Sequence, residues 1–254
     1  MTVFSIVTIN WNDCAGLQAT YKSVASQTYR SFRWIVIDGA STDGSVEWLQ
    51  SLQDPQAEIT SEPDHGIYDA MNKGLEQAIA RPGYTLFLNS GDCLSDAEVL
   101  ERVANAISLA PSTPKFIYGD YYRKSANGVV TWVAAKPIRK LRMGMPSSHQ
   151  CMYFENSRLF GIKYRERYKL SADYCLLVEF LSGLDLQTSV LKIPSPLCIF
   201  DTTGISERRR FDALREDMQI RMRYMNLSQL NAFWLYLLHY LHTHSKSFKS
   251  NLLK

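Results

Sequence analysis

No two cysteines of this 254-residue chain form a C-x-x-C pair, and their number is odd: Cys14, Cys93, Cys151, Cys175 and Cys198 lie far apart. That spacing excludes a disulfide framework and a structural zinc ribbon, and it fits a reducing cytoplasm. No basic stretch followed by an apolar run opens the chain, so no secretory leader is expected. No apolar run approaches the roughly 20 residues that a helix needs to cross a bilayer. Its strongest candidate, residues 232–241, is interrupted by His239. Repeats, low-complexity tracts and a linker marked by composition are also missing. So is acidity near the end: from Met218 to Lys254 there are Arg221, Arg223, Lys246, Lys249 and Lys254 but no Asp or Glu.

What remains is ordinary globular composition, 46% hydrophobic and 21% charged, with a net charge of +3. The length suits one large domain, or one domain with an appendage. The basic tail also holds the aromatic run Phe233-Trp234-Leu235-Tyr236-Leu237-Leu238. If residues 232–241 are helical, one face packs on the domain while Trp234, Leu238 and Leu241 face outward. That face suits either an anionic membrane surface or a second copy of the chain.

Apolar, β-rich runs at 3–9, 33–37, 84–88 and 116–118 alternate with helical patterns at 17–27, 44–52, 67–80 and 97–109. Strands buried on both faces and separated by helices predict βαβ units around a mostly parallel sheet. Ligands of such sheets lie beyond the carboxyl ends of the strands, which points to residues 10–13, 38–43 and 89–92. Later in the chain, Asn127-Gly128 predicts a hairpin between strands 118–122 and 129–133. A strand at 151–154 and a helix over 172–181 follow, then a strand over 188–193 closed by Pro194 and Pro196. From about residue 208 the pattern reads as two helices. We therefore expect an α/β domain over 1–207 and a helical appendage over 208–254.

Three polar segments stand out. Asp38-Gly39-Ala40-Ser41-Thr42-Asp43-Gly44-Ser45 delivers a carboxylate to a strand end and then turns into a helix; turn and cap chemistry explains it, and so does a nucleoside partner for Asp38. Glu62-Pro63-Asp64-His65-Gly66-Ile67-Tyr68-Asp69-Ala70-Met71-Asn72-Lys73-Gly74 turns into a helix on which Tyr68 and Asn72 share a face, as do Asp69 and Lys73. In Phe87-Leu88-Asn89-Ser90-Gly91-Asp92 a strand ends in a small polar loop with one carboxylate, either a turn residue or a ligand for a hard cation.

In this order and spacing the three segments resemble glycosyltransferase family 2, and the likeness extends to His149-Gln150 and to Ser171-Ala172-Asp173-Tyr174. It is strongest to bacterial enzymes of capsule, colanic-acid and O-antigen assembly. The resemblance implies the GT-A fold, a Rossmann-like nucleotide-binding sheet flanked by helices. It also implies a nucleotide-sugar donor, UDP- or GDP-linked, a divalent cation (Mn²⁺ or Mg²⁺) and inverting transfer to a lipid-linked saccharide at the inner face of the cytoplasmic membrane. Residue by residue, it assigns Asp38 to the nucleobase or ribose and places Thr8, Asn10, Asp64, Lys73, Ser90 and Gly91 around the donor. It makes Asp92 the metal ligand and Asp173 the general base. His149, Gln150 and Arg208 match positions near the acceptor or the phosphates. The chain departs from the family's Asp-x-Asp region, because Asn89 and Gly91 stand where many relatives carry Asp.

Two other functions compete. A nucleotidyltransferase or NAD-dependent oxidoreductase shares the α/β logic but would bring a G-x-G-x-x-G or P-loop after the first strand, and neither is present. A membrane-docked scaffold that has lost catalysis accounts for the reduced Asp-x-Asp, whereas the presence of Asp38, Asp92 and Asp173 favours an enzyme.

Overall fold

The structure, a computed structural model, describes residues 2–201 and 209–252. Among the described residues nine strands form one sheet in the order β3-β2-β1-β4-β8-β6-β9-β5, with β7 paired to β6. The strands β1 (Phe4–Asn10), β2 (Phe32–Asp38), β3 (Ala57–Ser61) and β4 (Tyr84–Phe87) run parallel. Helices α1 (Cys14–Ala25), α2 (Ser45–Ser51) and α3 (Ile67–Ile79) connect them. Every residue of β1 and β2 is buried, and their polar members are hydrogen-bonded inside, Thr8 to the Leu88 carbonyl and Arg33 to Ser5.

The second half makes the sheet mixed. After β5 (Cys93–Leu94) and α4 (Val99–Leu109), the long β6 (Phe116–Lys124) turns back through β7 (Val130–Val133) at the expected Asn-Gly hairpin. Then β8 (Met152–Glu155) inserts antiparallel between β4 and β6. The short α5 (Asn156–Leu159), α6 (Ala172–Leu181) and α7 (Leu186–Ser189) lead into β9 (Val190–Asp201).

Here the structure corrects one expectation. Pro194 and Pro196 do not close the last strand, which starts at Val190 and continues to Asp201. The β6–β9 register shifts on both sides of Asp120, so Pro196 pairs with Asp120 while Pro194 falls at the irregularity. A bulge tolerates the missing N–H groups that would break a regular ladder. The expected strand start at Thr188 is instead the end of α7, capped by Asp185, which accepts from the Gln187 amide at 3.0 Å.

Two apolar clusters cover the faces of the sheet, one holding α3 and α6, the other α1 and α4. The tail forms α8 (Arg210–Tyr224) and α9 (Gln229–Leu252), as the two-helix pattern predicts. Leu214, Ile220 and Arg221 of α8 are buried. Glu216 of α8 accepts the backbone amides of Lys169, Leu170 and Ser171 at 2.9 Å each, tying α8 to the segment that opens α6. No helix among the described residues is long and apolar enough to cross a membrane.

Candidate active site

The parallel register aligns Asn10, Asp38 and Ser61 on one rung at the carboxyl ends of β1, β2 and β3. Asp38 is fully buried. Its Oδ1 accepts from Asn10 Nδ2 (2.8 Å) and the Ser41 hydroxyl (2.6 Å); its Oδ2 accepts from the Ser41 amide (2.9 Å) and the Ser61 hydroxyl (2.8 Å). Burial alone would raise this carboxyl, but hydrogen bonds from Ser41, Asn10 and Ser61 outweigh it and hold the group below its usual range. The ionised Asp38 therefore organises the strand-end loops. Asn12 strengthens the junction: its amide donates to Ser41 Oγ (2.8 Å), and its side-chain oxygen accepts from the Thr42 amide (2.8 Å).

Thr8 lies deeper. It is fully buried, donates to the Leu88 carbonyl at 2.8 Å and accepts the Trp34 indole N–H at 2.8 Å, so it braces β1 against its neighbours and faces no open space.

Asp64 and Trp11 close over Gly39. A Cβ on Gly39 would come within 2.5 Å of Asp64 Oδ2 and 3.2 Å of Trp11 Cδ1, so a larger residue there would have to displace the Asp64 carboxylate. Asp64 Oδ1 accepts the Gly66 amide at 2.8 Å, and Trp11 presents 71% of its surface to solvent. Lys73 anchors the turn, pairing with Glu62 at 2.7 Å and donating to the Pro63 carbonyl at 2.9 Å.

In the loop after β4, Gly91 adopts φ +88° and its amide donates to Thr20 Oγ1 at 3.1 Å, while Ser90 Oγ donates to the Asp13 carbonyl at 3.3 Å. Asp92 is buried; Oδ2 accepts from Gln150 Nε2 at 2.7 Å and Oδ1 from the Asp201 amide at 3.1 Å. Burial pushes its pKa up to about 7 against those two bonds. Among the described residues no group of three or more His, Cys, Asp or Glu is arranged to hold a metal. Two side-chain oxygens at neighbouring strand ends, Asn10 Oδ1 and Asn89 Oδ1, are buried without a donor among the described residues. Uncompensated buried acceptors are costly, and a donor or a cation removes the cost.

Asp173 stands in the first turn of α6, half-buried, its Oδ1 accepting the Tyr174 amide at 2.8 Å. Burial, with the nearby charges of Asp217 and Glu216, pushes its pKa up to about 7. It lines a cavity of about 380 Å³ together with Ser147, Ser171, Asp217 and His239. Residues 147–150 thus link two places, because Ser147 lines this cavity while Gln150 holds Asp92. Between them His149 stacks on Phe87 at 5.3 Å, and its Nε2 lies 2.9 Å from the Tyr164 hydroxyl. Burial lowers the His149 pKa to about 4, so it is neutral and structural in character. Tyr164 stacks on Tyr68, whose phenol lies close enough to Asp173 to feel its charge.

The structure therefore gathers Asn10, Asp38 and Asp64 at one end, Ser90 to Asp92 with Gln150 beside them, and Asp173 beyond residues 147–150. Arg208 lies outside the described residues. Sequence reasoning missed Trp11, Ser61, Asp217 and His239. An aromatic directly after a strand end was a usable signal for Trp11; the others are joined to the site only by tertiary contacts.

Residues 5–163 match the family model described as glycosyl transferase family 2. Similar proteins include an uncharacterised glycosyltransferase of Mycobacterium tuberculosis, 34% identical over 85% of this chain and 81% of its own length. A PGL/p-HBAD biosynthesis glycosyltransferase of Mycobacterium bovis is 31% identical over 75% of this chain and 74% of its own. The Escherichia coli UDP-Glc:alpha-D-GlcNAc-diphosphoundecaprenol beta-1,3-glucosyltransferase WfaP is 29% identical over 54% and 53%. Among solved structures, Staphylococcus aureus TarS 1–349 in complex with UDP-GlcNAc superimposes with a TM-score of 0.67 at 15% identity, covering 92% of this chain and 70% of that one. The Pyrobaculum calidifontis mannosyltransferase with GDP-Man and Mn²⁺ gives 0.64 at 15% identity, over 91% and 69%. These two likenesses establish the GT-A fold.

Proposed function

We propose, from the premise that the chain belongs to glycosyltransferase family 2, that it is an inverting transferase carrying a sugar from a nucleotide-sugar donor to a lipid-linked saccharide in bacterial surface-glycan assembly. The observation that carries the reading is the placement of Asp173: a cavity-lining carboxylate, joined through residues 147–150 to the loop of Asp92. The donor class is supported by UDP-GlcNAc and GDP-Man in the two structures of the same fold, and the acceptor class by the name of the E. coli relative.

In this reading the nucleoside sits over the rung of Asn10 and Asp38, between Asp64 and the exposed indole of Trp11, which offers a stacking face. Asp38 acts mainly by holding that platform rigid. The diphosphate lies toward Ser90, Gly91 and Asp92. Asp92 and the unpartnered oxygens of Asn89 and Asn10 fit a hard cation, which takes oxygen ligands and keeps waters or phosphate oxygens in its remaining positions. When bound, Mn²⁺ or Mg²⁺ neutralises charge on the departing diphosphate. Gln150 keeps Asp92 oriented. Asp173 takes the proton of the acceptor hydroxyl as its oxygen attacks the anomeric carbon from the face opposite the leaving group. A carboxyl poised near 7 is suited to that transfer.

Peripheral membrane contact completes the reading. On α9, Leu230, Trp234, Leu238 and Leu241 are all more than half exposed, at spacings that place them along one stripe, while Ala232 and Thr243 on the opposite side are buried.

The test is a thermal-shift screen of UDP- and GDP-linked sugars with and without Mn²⁺, followed by donor hydrolysis. One nucleotide class should raise the melting temperature in a saturable, cation-enhanced way and be slowly hydrolysed. No stabilisation by any nucleotide sugar would overturn the donor assignment.

A further inference from the structure

The cavity lined by Asp173 has a wall that no strand-end motif supplies. It comes from the two C-terminal helices, with Asp217 of α8 and with His239 and Thr243 of α9. This wall is built rather than incidental. Arg221 behind it is fully buried; its Nη2 lies 3.4 Å from Asp217 and 3.3 Å from His239 Nδ1, and its guanidinium sits over the Tyr174 ring at 5.7 Å. Among the described residues the Nε and Nη1 of Arg221 find no hydrogen-bond partner, so there the buried cation is compensated only through Nη2. Thr243 is nine-tenths buried yet lines the cavity.

The chemistry of this wall selects its occupant. Two carboxylates, Asp173 and Asp217, line the cavity, and Glu216 adds a third negative charge nearby. Lys136, the single Lys or Arg among the described lining residues, turns its ammonium toward the Met145 carbonyl at 3.5 Å. Such a wall repels the diphosphate of a donor, while carboxylates, a hydroxyl and an imidazole match the paired donor and acceptor character of sugar hydroxyls. The volume of about 380 Å³ lies in the range of small-molecule sites, about 300–1,000 Å³. The same helix, α9, turns His239 and Thr243 to the cavity and its apolar stripe to the outside, so a saccharide held here can trail a lipid along the exposed face.

We propose that Asp217, His239 and Thr243 form the acceptor-sugar subsite, hydrogen-bonding the hydroxyls beside the one that Asp173 deprotonates. This rests on the transferase reading and deepens it, assigning acceptor choice to the C-terminal helices and donor choice to the strand ends.

The experiment is saturation-transfer NMR on the full chain with methyl glycosides of glucose, galactose, mannose and N-acetylglucosamine, and with an α-D-GlcNAc diphosphate carrying a short alkyl chain. UDP serves as the donor-side probe. At least one glycoside should be saturated by the wild type, and Thr243→Val and Asp217→Asn should weaken it about tenfold, the effect of one lost hydrogen bond, with UDP binding unchanged. Leu109→Ser, at the exposed end of α4 and outside both the cavity and the α9 stripe, should leave glycoside binding intact. Asp217→Asn can perturb Arg221, so Thr243→Val decides if the former fails to fold. Absence of any glycoside signal while UDP binds, or equal binding by wild type and Thr243→Val, overturns the subsite. Glycoside binding without any nucleotide-sugar binding would instead overturn the donor assignment and leave the subsite standing.

Discussion

Gln150 donates its side-chain amide to Asp92 at 2.7 Å, joining residues 58 positions apart and linking the segment that lines the Asp173 cavity to the loop proposed to hold the donor diphosphate. A hydrogen bond to a charged group contributes about 1.5–3 kcal/mol. Gln150→Ala should therefore weaken nucleotide-sugar affinity about tenfold or more in Mn²⁺, by titration calorimetry, with little change in chelator. A loss equal in both conditions would place Gln150 in the fold rather than in cation-dependent binding.

Asp92→Ala should remove the cation dependence itself. Wild-type donor affinity should fall when chelator replaces Mn²⁺, whereas the variant should bind weakly and equally in both. A wild type indifferent to chelator would refute the role given to Asp92.

Asp173→Asn keeps the shape but accepts no proton. Transfer should fall by about 10² to 10⁴ while donor binding stays within twofold. With the wild-type carboxyl near 7, kcat/KM should drop tenfold per pH unit below that value and level off above it. Retention of near-wild-type turnover by the variant would dismiss Asp173 as the base.

The same carboxyl carries a stability signature. Its folded pKa, about 7, lies above the unfolded value near 3.8, so between these the native chain binds the proton more tightly. Its contribution is present below about pH 4 and is lost as pH rises through 7. Asp173→Asn should melt higher than wild type at pH 8 and match it at pH 4, by calorimetry. A variant less stable at pH 8 would contradict this sign.

Glu216 gathers three backbone amides ahead of α6. Glu216→Ala should cost about 2 kcal/mol, lowering the melting temperature by roughly 4–8 °C in a chain of this size. A shift under 1 °C would show that solvent replaces the carboxylate freely.

On the exposed stripe of α9, Trp234→Ser with Leu238→Ser should abolish co-sedimentation with vesicles containing anionic phospholipid. Wild-type binding should weaken with salt, since each basic residue near the surface contributes about 1 kcal/mol. A wild type that stays in the supernatant at low salt but sediments as a dimer in ultracentrifugation would reassign the stripe to self-association.

Local pattern determined much of this protein. The strand-like runs of β1 and β2 and the apolar stretch of α6 are readable because elements buried on nearly every side carry few polar positions; α6 spans residues 172–181 as expected. Motif order likewise pointed to the strand ends. Other features carry no such trace. Strand β3 is only partly buried and β5 has two residues, so neither leaves an apolar run, and β9 passes its prolines only because it bulges there opposite Gly119, Asp120 and Tyr121 of β6. Asp38 looks ligand-facing in sequence; tertiary pairing with Asn10, Ser41 and Ser61 turned its carboxylate inward. Nothing in the pattern of the basic, aromatic tail marks Asp217 or His239 as neighbours of Asp173. They reach the Asp173 cavity because α8 packs on α6 around the buried Arg221. Residue type and spacing thus determined which groups could do chemistry. Which of them meet was decided by long-range packing, because a buried charge is stable only where distant segments bring its partners to it.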